Sequence, residues 1–326
     1  MHIDCNRRRA LRALGGLALS GLAPRLARAA EFPSRPVTLL CPFGAGGSVD
    51  QYMRVLAPLL GKQLGQQIII ENKPGAGGAL ASAMAARARP DGYTLAMTSG
   101  STFRAPWLQP QIGFSPLEDF SYVIGMTSLE FCAVVRADSP WRTFADFMAH
   151  ARAHPGTQYA AGDPTTLGPV TLKASEARFG VKLEHIPFNS GSEMATALLG
   201  GHVAVVIDSV GTYVPHIRAG KLRLLAALGE ARFKAWPDVL TAREQGYDLV
   251  LSSPMGLIGP RGIPAPVVQR LHDALRASMR EPGISAVLDL LNQPEWYRDP
   301  AGFQAYARQV YAESGELLRR AGVIPS

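Results

Sequence analysis

From Val37 the chain runs V-T-L-L-C-P-F, an unbroken apolar stretch of the kind expected for a strand covered on both faces. The glycine-rich loop G-A-G-G-S follows. Then Tyr52, Val55, Leu56, Leu59 and Leu60 recur at helical spacing, with Ser48 and Gln51 placed as a capping box. The same pattern repeats at once. Q-Q-I-I-I-E is a second strand, N-K-P-G-A-G-G a second glycine turn, and A-L-A-S-A-M-A-A-R-A-R a helix stopped by Pro90-Asp91-Gly92. Y-T-L-A-M-T-S is a third strand, ending in the polar loop S-G-S-T. Strand, helix, strand, helix, strand predicts a parallel sheet with right-handed crossovers.

Beyond Pro140 the alternation restarts. Helices are predicted at T-F-A-D-F-M-A-H-A-R-A-H, P-V-T-L-K-A-S-E-A-R-F, M-A-T-A-L-L-G-G and V-P-H-I-R-A-G. Strands are predicted at T-Q-Y-A-A-G, L-E-H-I-P-F, V-A-V-V-I-D-S and L-R-L-L-A-A-L. The chain finishes in helices from Pro264 onward. Two extended stretches, 127–136 and 249–259, suggest a chain that crosses to a second domain and returns. The expected organisation is therefore α/β with two doubly wound sheets flanking a cleft. Domain 1 comprises 31–130 plus 253–326, domain 2 comprises 131–252, and a segment of another kind, 1–30, precedes them.

That first segment has the three parts of an export signal. Arg7, Arg8, Arg9 and Arg12 precede a mildly apolar run, Leu14 to Ala23, and Ala27-Arg28-Ala29 supplies a small-x-small site. R-R-R-A-L-R approximates a twin-arginine pattern, and the glycines at 15, 16 and 21 weaken the apolar run in a way that suits that route. Cleavage changes the charge picture. Residues 1–29 hold six arginines and one aspartate, so the formal charge of +7 falls to +2. The case for a nucleic-acid partner goes with it. Cys41 and Cys132 each sit in an apolar strand, which favours two small buried residues over a staple, although an exported chain can form disulfides. Scattered histidines and the absence of C-x-x-C and H-E-x-x-H argue against a metal.

Neither glycine turn is G-x-G-x-x-G and no G-x-x-x-x-G-K-[ST] occurs, so no nucleotide cofactor is predicted. No G-x-S-x-G elbow is present, and Ser48 and Ser101 lack a histidine nearby in sequence. What the loops share is position. G-A-G-G-S, N-K-P-G-A-G-G, S-G-S-T, D-P-T-T-L-G, N-S-G-S-E and D-S-V-G-T-Y each follow a strand, at the end that lines the ligand crevice in open α/β sheets. Their glycines, hydroxyls and adjoining helix N-termini describe an anion site made of dipoles. Tight packing of strand on helix would require the same glycines, so both explanations stand. His185, within a strand, is expected to be a core histidine.

The motifs F-P-S-R-P-V-T-L-L-C-P-F-G-A-G-G-S-V-D, L-G-Q-Q-I-I-I-E-N-K-P-G-A-G-G, P-D-G-Y-T-L-A-M, P-H-I-R-A-G-K-L-R-L-L-A-A-L and G-P-R-G-I-P-A-P-V-V-Q-R-L resemble those of the tripartite tricarboxylate transporter substrate-binding proteins, the Bug family. The resemblance covers essentially all of 32–326. It implies a type II periplasmic-binding-protein fold, a monomer that captures a small organic acid without catalysis and delivers it to a membrane permease. A sensor partnered with a membrane kinase would need the same cleft, and an exported α/β hydrolase is the third alternative. Carried over by motif, the ligand loops comprise Phe43, Gly44, Ala45, Gly46, Gly47 and Ser48, then Ser99, Ser101 and Thr102. The second domain contributes Thr165, Thr166, Phe188, Asn189, Ser190 and Asp208. Phe188-Asn189-Ser190 replaces the family's frequent Tyr-Lys-Gly. Arg104, where a small residue is common, is then either the partner of a second ligand carboxylate or a surface residue.

Overall fold

β1 (Val37–Cys41) lies between β2 (Ile68–Asn72) and β3 (Thr94–Met97), parallel to both, with Leu39 opposite Ile70 and Leu95. This computed structural model describes residues 32–320 and 322–325, so the predicted export segment and its arginines fall outside the described residues. Residues Arg35–Ser326 cluster as one unit. Val37, Leu39 and Cys41 are inaccessible to solvent, as their unbroken apolarity requires.

Helix α1 (Ser48–Leu64) buries Tyr52, Met53, Leu56 and Leu60 and ends at Gly65, which takes the left-handed conformation (φ 71°). The capping box expected of Ser48 and Gln51 does not form. Gly47 is the cap and Ser48 the first helical residue. The Asp50 carboxylate instead accepts from the Gly46 amide at 2.9 Å, and a charged acceptor serves a helix start better than an amide side chain. Burial pushes Asp50 up, but hydrogen bonds from Arg54, Gly46 and Asn72 outweigh it and hold the group below the usual carboxylate range.

Helix α2 (Ala79–Ala86) follows the second glycine turn, as its pattern predicts. S-G-S-T is not a plain loop. It opens helix α3 (Gly100–Leu108), whose inner face packs on the C-terminal helix α10 (Pro300–Arg320). Phe103 meets Tyr306 edge-on at 6.1 Å, and Trp107 stacks on Tyr311 at 4.9 Å. Those partners lie about two hundred positions away in sequence, so no local periodicity announces the helix.

β4 (Phe120–Arg136) is a single strand of 17 residues. It runs antiparallel to β9 (Ser252–Pro260), which is itself antiparallel to β3, so the sheet is mixed rather than wholly parallel. β10 (Glu295–Arg298) adds to β4 from the other side. The partner of β4 changes at its middle: Glu130 faces Ser252 of β9, whereas Phe131 faces Ser209 of β7 (Val205–Ser209). β8 (Leu222–Ala227) also pairs with this second half. β5 (Thr157–Ala161) lies between β7 and β6 (Leu183–Pro187), parallel to each.

The elements around β1, β3 and β9 form a first lobe, and those around β5 and β7 a second. Helices α4 (Phe144–Ala153), α5 (Leu167–Phe179), α6 (Gly191–Leu199) and α7 (Val214–Arg218) belong to the second lobe. Helices α8 (Ala265–Met279) and α9 (Pro282–Leu291) pack on α1, in the first. One core gathers Phe103, Phe120, Tyr122 and Phe303; another gathers Val134, Leu198, Val206 and Tyr213. Cys41 and Cys132 are both free and buried. Burial pushes the Cys41 thiol up to about 11, so neither favours a reactive thiolate. His185 packs on Tyr159 with ring centroids 5.3 Å apart.

Candidate functional site

Between the two lobes lies a cavity of about 120 Å³, far above the ~10–15 Å³ that admits one water. Four helices begin at its wall. Gly47, Gly78, Thr166 and Ser190, the N-terminal caps of α1, α2, α5 and α6, all line it. Only Ser190 caps its own helix, accepting from the Glu193 amide at 3.3 Å. Gly47 and Gly78 have no side chain to offer, and the Thr166 hydroxyl turns back to donate to the Asp163 carbonyl at 2.7 Å. At α2 the first-turn amides of Ala79 and Leu80 donate to the Ala76 and Gly75 carbonyls, so two ends, α1 and α5, keep first-turn amides without an acceptor, and each carries a partial positive charge.

Asp208 closes the second-lobe side, at the end of β7. It accepts from the Tyr213 hydroxyl at 3.0 Å. Its Oδ2 lies 2.7 Å from where a Cβ on Gly191 would stand, so only glycine fits at the start of α6. Burial pushes the Asp208 carboxyl up to about 6, against hydrogen bonds from the Ser209 amide and Tyr213.

The lobes touch around the cavity. The Ser48 hydroxyl meets that of Ser209 at 2.9 Å, and Ser192 Oγ donates to the Ala45 carbonyl at 3.2 Å. Gly77, at φ 63°, abuts the opposite loop: a Cβ there would fall 2.5 Å from Thr165 Oγ1 and 3.1 Å from Thr166 Cγ2. That hydroxyl is held by Asp163 Oδ1 at 2.6 Å.

Of the residues singled out in the sequence, Phe43, Gly47, Ser48, Thr166, Phe188, Asn189, Ser190 and Asp208 line the cavity. Gly44, Ala45 and Gly46 lie at its rim, packed on Ser190 and Ser192. Ser99, Ser101 and Thr102 lie behind the wall: Ser101 sits under Gly77, Ser99 under Gly78, and Thr102 is 2.9 Å from Ser82 of α2. Thr165 is taken up by Asp163.

Arg104 is not at the surface; it is 4 % exposed. Nor does it line the cavity. Because α3 is held against α10, the guanidinium points inward, lies against Gly100, and donates from Nε to the Thr165 carbonyl across the lobes at 3.3 Å. Burial pushes it down to about 10.

The sequence-based list omits the second glycine turn, although Gly75 to Gly78 all line the cavity. Its duplication of the first turn was the available signal. Leu129, Phe131, Met194 and Ile207 also line it, and these read as ordinary core positions in the sequence. Among the described residues no cluster of His, Cys, Asp and Glu is placed to hold a metal, and no helix is long and apolar enough to cross a membrane.

Residues 52–323 match the model of the tripartite tricarboxylate transporter family receptor. A Cupriavidus necator protein, described as the UPF0065 protein in the gbd 5' region, is 38% identical over 310 residues, covering 94% of each chain. The solved structure of the periplasmic binding protein BugD superposes with a TM-score of 0.84 at 28% identity, covering 90% of this chain and 99% of BugD. MatC from Rhodopseudomonas palustris, solved with malate bound, gives 0.82 at 28% identity, covering 88% and 100%.

Proposed function

The chain belongs to the tripartite tricarboxylate transporter receptor family, and on that premise we propose that it captures a small organic carboxylate in the periplasm and delivers it to a membrane permease. The observation that carries the proposal is the convergence of four helix N-termini, three lacking a side-chain cap, on one cavity between the lobes. Charge-assisted hydrogen bonds from such amides contribute about 1.5–3 kcal/mol each. A carboxylate can therefore be held without a cation. Site residues in this account are Gly47, Ser48, Thr166 and the Gly75 to Gly78 turn for the carboxylate, with Phe188, Asn189, Ser190 and Asp208 shaping the other side. Ser192 on Ala45 and Arg104 on Thr165 hold the lobes together over the bound molecule.

Binding is proposed to be the whole task. Among the described residues no histidine lines the cavity, and the Ser48 hydroxyl pairs with that of Ser209 rather than with a base. The test is a titration of small organic acids against their primary amides, with the recovered solute checked by chromatography. Acids should bind, amides should bind far more weakly, and every solute should return unchanged. Amides binding as well as acids, or solute consumed, would contradict the proposal.

A further inference from the structure

We propose, building on the carboxylate-receptor reading above, that the ligand is a monocarboxylate with an apolar body and a distal hydrogen-bond donor, and that Asp208 accepts from that donor. The wall carries the argument. Phe43 comes from the first lobe, Leu129 and Phe131 from β4, and Phe188, Met194 and Ile207 from the second lobe; all present apolar side chains to one small space. No lysine, arginine or histidine lines it among the described residues. A second ligand carboxylate would be desolvated against these side chains with neither a cation nor a further uncapped helix end to meet it. Arg104 stands behind the wall, bonded to the Thr165 carbonyl.

Two carboxylates of the protein do reach the wall, Asp163 and Asp208. Asp163 belongs to the loop that leads into α5, the end assigned to the ligand carboxylate, and its Oδ1 accepts from both the amide and the hydroxyl of Thr165. Asp208 stands at the other end of the cavity, where the Ser209 amide and the Tyr213 hydroxyl donate to it; Tyr213 goes to Oδ2, leaving Oδ1 without a side-chain partner among the described residues. The Asp208 carboxylate also sits beside Gly191, at the helix end that Ser190 already caps. The α1 and α5 ends, whose first-turn amides have no side-chain cap, are left for the ligand carboxylate. A ligand that fits both ends is anionic at one and offers a hydroxyl or ammonium at the other. Its middle lies against the apolar wall. A site built to accept a hydrogen bond discriminates strongly against analogues that lack the donor.

The experiment titrates matched pairs by calorimetry near neutral pH: 4-hydroxybenzoate with benzoate, and 5-hydroxypentanoate with pentanoate. Succinate, citrate and 4-hydroxybenzamide complete the panel, and wild type is compared with Asp208→Asn. In at least one pair the hydroxylated acid should bind about tenfold or more tightly than its partner, and both should exceed succinate and citrate. Asp208→Asn should bring the ratio within the pair close to one. Succinate or citrate binding best, or a ratio unchanged by Asp208→Asn, overturns the inference while leaving the receptor account standing. Failure of every acid to bind, or equal binding of the amide, overturns the receptor account itself.

Discussion

Gly77→Ala isolates the step in which the lobes close. The new methyl group has two separable effects. It forces an L-residue into the left-handed region at φ 63°, costing roughly 1–2 kcal/mol whether the lobes are open or closed. That term lowers the melting temperature of the empty protein and cancels from the binding equilibrium. The second effect exists only when the lobes meet, because the methyl carbon would stand 2.5 Å from Thr165 Oγ1. Relief requires Thr165 to turn away from Asp163, giving up a 2.6 Å hydrogen bond to a carboxylate. Such a bond contributes about 1.5–3 kcal/mol, so affinity should fall by about ten- to a hundredfold. Gly46→Ala is the matched control. Gly46 has φ 79°, but a Cβ there meets nothing nearer than Ser192 Cβ at 3.9 Å. It should lose a similar amount of thermal stability while keeping affinity within about threefold. Calorimetry with the acid that co-purifies with the wild-type protein, beside thermal melts of both empty variants, makes the comparison. Equal affinities for the two variants would refute the closure argument.

Other expectations follow from single groups. Asp208 holds its proton up to about pH 6 when folded, above the ordinary carboxylate value of about 3.9, so its contribution to stability is complete below pH 4 and lost as pH rises through 6. Between those limits the melting temperature of wild type should fall relative to Asp208→Asn; a constant difference would mean Asp208 titrates normally. Arg104→Met keeps the bulk but removes the interlobe hydrogen bond to Thr165, and should weaken binding about threefold or more. Unchanged affinity would place Arg104 outside the binding cycle. Changing Arg7 and Arg8 together to Lys should strand precursor in the cytoplasm, visible by fractionation, and normal export would point to the general secretory route.

What the sequence disclosed follows from how local each feature is. β1 and the glycine turns were legible because an apolar run followed by G-A-G-G restricts a chain to few conformations. α3 was not, since S-G-S-T reads as a loop until Tyr306 and Tyr311 are brought against Phe103 and Trp107. Ser48 reads locally as a cap, yet its hydroxyl goes to Ser209 in the other lobe. Gly47 belongs to the glycine loop that the sequence assigns to the ligand, but its φ is an ordinary −71° and a Cβ would meet only the Gly44 carbonyl at 3.5 Å. Gly77 holds that constraint, and only the position of Thr165 reveals it. Apolar wall residues such as Phe131 and Ile207 carry no signal separating a cavity from a core.

Mass spectrometry of the small molecules released on denaturing protein purified from the periplasm tests the central claim most directly. The account requires a single organic acid at close to one equivalent, and at lower occupancy in the Gly77→Ala protein prepared in parallel. A neutral or cationic solute at the same occupancy would contradict it.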